Sequence, residues 1–494
     1  MRNLCMTTAL GLCLIGCTSA PQAITQAEAL DNAITLRETV SSGQEPITQS
    51  ITLYEAMARA LKYNLDHRVA MMELDLAKQD YDVSRYDLLP KVVANSGYYG
   101  RSNEAGSSSL SLLSGRQSLE PSTSTERDVF TADLTASWNV LDFGLSKIRS
   151  QQLANEVQIF EERRRKAVIQ IMEDVHRAYW RAVSSQRLGS RLDALEGDVR
   201  QAFDQSRALY VSRTTAPMPA LSYQRELNDI QAQAQRMLRE LKKSKMELAA
   251  LMGLSPDQDF TLSMPTHKST PSRLVLSYEQ MIETALQLRP EVRESFYAKR
   301  IGEKEIKKAT LEALPSIEGF AGLNVSSNDF LFNSDWGEYG ARASWNLLKV
   351  FSISAKKRKA GAGLELEKQR GLAAAMAVIT QVGVSRARYE GLMQAYDTAE
   401  QGAQVQDDIL NQVEALASAS SASRQTLVRE RMNALISEAR RDTIHAEMKE
   451  AAAHIYTSMG YDPYGADISG DEDIATIAAS LQSLWTERSK NPGQ

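Results

Sequence analysis

Phe130-Thr131-Ala132-Asp133-Leu134-Thr135-Ala136-Ser137-Trp138-Asn139-Val140-Leu141 alternates strictly: the even positions from Phe130 to Val140 are apolar and the odd ones from Thr131 to Asn139 are polar. A period of two predicts a strand with one apolar and one polar face. Further along, Ala343-Ser344-Trp345-Asn346-Leu347-Leu348 repeats the end of that stretch. It closes a second alternation, with Tyr339, Ala341, Ala343, Trp345 and Leu347 set against Gly340, Arg342, Ser344 and Asn346. Other landmarks recur in the same order. Tyr54-Glu55-Ala56-Met57 followed by Ala60-Leu61 matches Tyr278-Glu279-Gln280-Met281 followed by Ala285-Leu286. Leu89-Pro90 matches Leu314-Pro315, and Leu251-Met252-Gly253-Leu254 matches Ser458-Met459-Gly460-Tyr461. Several landmarks in register indicate a duplication. The halves are 51–254 and 276–461, joined by a Pro/Ser/Thr-rich linker at 255–275 and followed by a polar tail at 462–494.

Both halves share one grammar. Each opens with a helix (51–89 and 278–314) in which apolar residues such as Leu53, Met57, Leu61, Leu65, Val69, Met72 and Leu76 mark one face. Pro90 and Pro315 end these helices, because proline lacks the amide and restricts the residue before it. Strands follow near 92–100 and 317–325; they alternate less cleanly and are assigned because the clear strands need partners. The connections, 101–128 and 326–336, are long, the first rich in Ser, Gly and Thr. Helical periodicity then returns and runs unbroken to Pro217 in the first half, predicting a helix of about 60 residues, roughly 90 Å long. No compact domain holds such a helix, so coiled-coil-like packing is implied. Each long helix turns back at a break, 212–219 or 415–423. The spacing gives no reason for Gly361, Gly363, Gly371, Gly383 and Gly391 in the second one.

Composition narrows the function. Among 494 residues, 57 basic against 62 acidic side chains leave a net charge of −5, without the basic excess of a general nucleic-acid binder. At 43% hydrophobic and 24% charged the chain is too apolar for a disordered one. Aromatic content of 6% and the absence of long apolar runs exclude a polytopic helical membrane protein. All three cysteines, Cys5, Cys13 and Cys17, fall in the first seventeen residues, so disulfides and thiolate metal sites are excluded from the rest. Arg2 and the short apolar segment 4–15 read as an export signal, with residues 1–16 removed. Leu14-Ile15-Gly16-Cys17 resembles the bacterial lipobox, which makes Cys17 the expected lipid anchor and 17–50 an N-terminal anchor and extended segment. Thr18 after it, rather than Asp, favours the outer membrane by the same resemblance.

Four strands, each apolar on one side, suit a transmembrane barrel with lipid outside and water inside. Four cannot close around a channel, since small closed barrels need about eight. Several copies must therefore share one barrel, and three would supply twelve strands. The long helices carry charge on most turns and belong in the periplasm as an equally shared tube.

The duplicated order of helix, proline, strand, loop, strand and long helix pair resembles the TolC-like outer-membrane efflux protein family, as do Tyr54–Leu61, Leu89-Pro90 and the 138–144 segment. The resemblance covers about residues 50–461. It implies a mainly α chain with a transmembrane β part, in a homotrimer with a twelve-stranded β-barrel and a periplasmic α-helical barrel. It also implies a periplasmic adaptor and an inner-membrane pump or ABC transporter as partners, outer-membrane lipid around the barrel, no cofactor, and no enzymatic activity. The helix breaks become periplasmic tips that meet the adaptor, through Arg213, Thr214 and Thr215 on one and Ser420, Ser421 and Ser423 on the other. Where the family carries acidic rings after the inner tip, this chain has Glu430 and Asn433 flanked by Arg429 and Arg431. With Arg424, these are the gate candidates, a departure that weakens cation attraction. A solvated helix face with i,i+4 pairs is the competing reading. Phe130, Trp138, Tyr339 and Trp345 are the candidate membrane-barrel aromatics.

Other chemistry has little footing. His67, His176, His267, His445 and His454 show no metal-ligand spacing, and there is no phosphate loop or nucleophile elbow. The run Glu161-Glu162-Arg163-Arg164-Arg165-Lys166 reads as solvated helix surface. Three functions remain: the exit duct of a tripartite efflux system, the outlet of a type I protein or polysaccharide secretion line, and a lipid-anchored periplasmic coiled-coil scaffold. The alternating strands argue against the scaffold.

Overall fold

A computed structural model of the chain describes residues 23–40, 42–118, 120–213, 216–264, 276–419, 423–464 and 472–490. Helix α1 (Gln26–Val40) lies in the segment expected to be extended and buries no side chain. The helix expected over 51–89 is two helices, α2 (Leu53–Tyr63) and α3 (Leu65–Tyr86). Its repeat counterpart is likewise divided into α6 (Tyr278–Leu288) and α7 (Pro290–Leu311). Local capping overrides the continuous apolar spacing. The Asn64 side chain accepts from the Asp66 and His67 amides, starting a new helix, and Pro290 does the same as the first residue of α7.

Strands β1 (Lys91–Gly100), β2 (Asp128–Asn139), β3 (Ser316–Ser326) and β4 (Asp335–Ser344) form one antiparallel sheet in the order β1-β2-β3-β4. From β2 and β4 the chain passes into α4 (Val140–Val211) and α8 (Leu347–Ser418), 72 residues each and thus about 108 Å long, beyond the expected 90 Å. Asn139 and Asn346 cap these helices, each accepting from two amides of the first turn. The return helices, α5 (Pro217–Leu251) and α9 (Arg424–Ser458), have 35 residues each. The duplication holds to the residue: α4 and α8 are offset by 207 at both ends (140 to 347, 211 to 418), and α3 and α7 by 225 (65 to 290, 86 to 311).

Below the sheet, α3, α4, α7 and α8 pack side by side in that order, one helix under each strand. Within each repeat, the end of the return helix docks at the break in the opening helix. Gly253 (φ 74°) and Gly460 (φ 83°) end α5 and α9 in the left-handed conformation. A Cβ on Gly460 would stand 2.6 Å from the Arg289 amide nitrogen, and one on Gly253 3.0 Å from the Tyr63 carbonyl oxygen, so each glycine lets a helix end dock into a helix break. Gly371 and Gly383, without a role in the periodicity, admit Ser295 at 3.2 Å and Tyr278 at 3.0 Å.

Two expectations need correction. Within the expected polar tail, Ile474–Lys490 form helix α10, with Ile474, Ile477 and Leu481 buried against α2 and α4. Those three sit on one helical face, and burying each contributes roughly 1.5–3 kcal/mol before entropy is counted. The charge run is not merely solvated. Glu162 and Arg165 are buried and paired, Arg165 also reaches Asp462 at 3.0 Å, and Arg293 reaches Glu162 at 3.3 Å. Arg163–Glu294 at 2.8 Å and Lys166–Glu291 at 3.4 Å extend the network along α7. Together with Arg187–Asp442 (3.1 Å) and Arg177–Glu450 (3.0 Å), these pairs tie the first repeat to the second.

Candidate channel wall and periplasmic tip

The sheet register sorts its faces. Tyr98 pairs with Phe130, Leu134 lies between Ala94 and Leu323, Trp138 faces Gly319, and Ala321 faces Tyr339. Phe130, Leu134, Trp138, Leu323, Val325 and Tyr339 therefore share one face, and all are exposed. The opposite face carries Asn95, Asp133, Thr135, Asn324, Glu318, Glu338 and Arg342, with Asn95 donating to Asp133 at 2.9 Å. An apolar face left bare by the chain's own packing suits lipid, and a polar one suits a wet lumen. Phe320 explains the weak alternation of β3. It points to the polar face, over Gly340, where the missing side chain makes room for its ring. Trp345 is a correction: β4 ends at Ser344, and the indole nitrogen of Trp345 donates to the Ala313 carbonyl at 3.1 Å, at the foot of the sheet. No described helix is long and apolar enough to cross a membrane. The sheet is the element fitted to lipid.

Both sheet edges, β1 and β4, are unpaired within the chain, and the outer flanks of the wall helices beneath them, α3 and α8, meet no further wall helix of the chain. Leu65, Val69, Met72 and Leu76, on the apolar face expected for α3, are exposed, as are Leu366, Leu372 and Met376 on α8. Only the first part of the face, Met57 and Leu61 on α2, lies in the core.

At the other end, α4 and α8 turn back into α5 and α9. Arg213 closes the first turn with φ 56°, and the Ser423 side chain caps α9 by accepting from the Thr426 amide at 3.1 Å. Cys17, Thr214, Thr215, Ser420 and Ser421 lie outside the described residues, as do His267 and the side chain of Arg424. The remaining gate candidates come together on α9. Glu430 accepts from Arg429 at 3.1 Å, from Asn433 at 3.2 Å and from Gln406 of α8 at 3.0 Å. Burial acts to raise the Glu430 pKa, but these donors outweigh it and hold the carboxyl below its usual range. Arg431 grips Glu414 of α8 at 3.0 Å, and Arg429 reaches across to Glu226 of α5 at 4.0 Å. Glu226 is a site residue beyond the sequence reading. The 207-residue offset gives a signal for it, since it is the first-repeat counterpart of Asn433 (226 to 433). Between α5 and α9 runs a groove of about 550 Å³ lined by Tyr223, Glu226, Ser423, Thr426 and Arg429.

The described histidines serve packing and structural hydrogen bonds. His176 is buried against Trp485 with ring centroids 5.1 Å apart, and burial pushes its pKa down to about 4. His445 packs against Trp180, and His454 bonds Glu173 at 2.8 Å. Among the described residues no group of His, Cys, Asp and Glu has metal-holding geometry.

A sheet fitted to lipid on one face, continuing into helices about 108 Å long that pack as a wall, is the architecture of outer-membrane channels. Residues 56–254, the first repeat, match the sequence model of the outer membrane efflux protein family. This repeat is therefore similar to that family. Its fold is similar to the CmeC outer-membrane channel of Campylobacter jejuni, at 15% identity over 96% of this chain and 98% of that one, with a TM-score of 0.65. It is also similar to the open state of the MtrE outer-membrane channel of Neisseria gonorrhoeae, at 18% identity, 83% and 88% coverage and a TM-score of 0.62. VceC, an outer membrane protein of Vibrio cholerae, matches at 13% identity, 83% and 96% coverage and a TM-score of 0.61. No curated protein matches the sequence.

Proposed function

We propose that three copies of this chain form the passive exit duct of a tripartite efflux system, carrying substrates from a periplasmic adaptor and an inner-membrane pump to the exterior. The observation that carries the proposal is the four-stranded sheet with a bare apolar face and two open edges, set above a helical wall that is also open at both ends. Three copies supply twelve strands, enough for a channel. Lipidation of Cys17 would hold the N-terminus at the outer membrane, and the tip grooves face the periplasm, where the adaptor docks.

The tip is the gate. Arg429 ties the second helix pair to the first through Glu226, and both side chains are more than a third exposed. A pair so placed contributes at most about 1 kcal/mol. Three such pairs, one per copy, hold a tip closed yet yield to a docking partner. Purified protein in planar lipid bilayers is expected to give discrete conductance steps, several-fold larger for the double variant Arg429→Ala, Glu226→Ala. Equal steps in the variant would remove the gating role, and no steps from the wild type would remove the duct.

A further inference from the structure

We infer that the seam between neighbouring copies repeats, residue for residue, the seam inside the chain, setting Lys359 against Asp80 of the next copy and Glu338 against Arg101 of the next copy. The inference rests on the multi-copy duct proposed above and adds its register. The wall order α3-α4-α7-α8 has two joints of one kind, α3 on α4 and α7 on α8, and between them the joint of α4 on α7. A closed wall needs one further joint, α8 on α3 of the next copy. The offsets convert the joint seen into the joint required.

Inside the chain, Gln152 of α4 donates to Glu305 of α7 at 2.9 Å. Moving up by 207 from 152 gives Lys359, and moving down by 225 from 305 gives Asp80. Both are exposed, they carry opposite charge, and neither has an ion-pair partner among the described residues. The apolar positions agree. Ile159 and Ile169 are buried in α4, while their counterparts Leu366 and Met376 in α8 are 51% and 63% exposed.

The sheet gives an independent second match. Thr131 of β2 faces Ser326 of β3. The same offsets turn that pair into Glu338 of β4 and Arg101 at the end of β1 (131 to 338, 326 to 101). Both residues fall on the lumen side, by the alternation established for their strands. Two oppositely charged pairs, one in the barrel and one in the helical wall, follow from a single operation.

The test uses the protein's own composition, because every cysteine lies at or before Cys17. The Ser327 amide bonds the Phe130 carbonyl at 2.9 Å, so 131 and 326 form the adjacent non-hydrogen-bonded pair. Such a pair brings Cβ atoms about 4.5–5.5 Å apart, close enough for a disulfide after small adjustment. Glu338→Cys with Arg101→Cys is expected to give covalent oligomers on oxidation. A pair shifted by two residues, Glu338→Cys with Tyr99→Cys, should give about tenfold less. In the wall, Lys359→Glu should lower the temperature at which the detergent-resistant oligomer dissociates, and Lys359→Glu with Asp80→Lys should restore it. An assembled oligomer that cross-links better in the shifted pair, or is not restored by the double reversal, overturns the register. A wild type that fails to assemble overturns the duct itself.

Discussion

Helices α4 and α8 have the same length and arise from the same duplicated grammar, yet α4 buries 23 of its side chains and α8 buries five. Hydrophobicity does not explain the gap, because α8 keeps apolar residues where α4 has them. It replaces Ile159 by Leu366 and Ile169 by Met376. Position explains it. Helix α4 stands between α3 and α7, with α5 and α9 packed along its lower part, whereas α8, packed on α9 and α6, has a wall neighbour, α7, on one side only. The two seams differ in chemistry as well. The joint of α4 on α7 is rich in charge, through Glu162, Arg163, Arg165 and Lys166 with Arg293, Glu294 and Glu291. The uncovered faces of α8 and α3 are mainly apolar, with Leu366, Leu372 and Met376 on one and Val69, Met72 and Leu76 on the other. A joint formed within a chain needs specificity. A joint formed between chains must also offset the entropy of association, which apolar burial does at about 25 cal/mol per Å².

That contrast can be broken at either seam. The largest effect is expected on the apolar one: Met72→Glu with Leu76→Glu puts two charges on the face that α8 of the next copy would cover. Burying unpaired carboxylates there costs more than the seam can supply. The expected outcome is a folded chain, by circular dichroism, that runs as a monomer in detergent. An intact oligomer would mean that α3 faces lipid, lumen or solvent instead. A smaller effect is expected at the charged seam. Arg165→Ala leaves Glu162 buried with Arg293 as its remaining cation. Removing one member of such a pair costs roughly 3 kcal/mol. Thermal unfolding should begin several degrees lower while the oligomer at room temperature keeps its mass. Loss of assembly in this variant would put the charged network in the inter-copy joint and reverse the comparison.

Much of this fold is legible in the sequence, because period and order are local signals. The alternation at 130–140, the stops at Pro90 and Pro315 and the four landmark pairs each need only neighbouring residues to be read. The family resemblance and the sheet-plus-long-helix architecture follow from them. What escapes is set by contacts distant in the chain. Arg165 looks like any surface arginine until Asp462 is brought beside it. The helix breaks at Asn64 and Arg289 lie within apolar spacing that continues through them, and only the docking of Gly253 and Gly460 gives them a purpose. Trp345 continues an alternation that the strand does not follow, since Asn346 caps the helix just beyond. The tip shows the division most sharply. The sequence places Arg429, Glu430, Arg431 and Asn433 on one helix, but Gln406, Glu414 and Glu226, which hold them, come from two others.

All of this rests on α8 and β4 being open edges that a second copy closes. The most direct measurement is the mass and shape of the detergent-extracted protein, by light scattering with the detergent contribution subtracted and by electron microscopy of single particles. The account predicts three chains in an elongated particle longer than the roughly 108 Å of its wall helices alone. A monomer or dimer, with the apolar face of its sheet folded away from detergent, would contradict it.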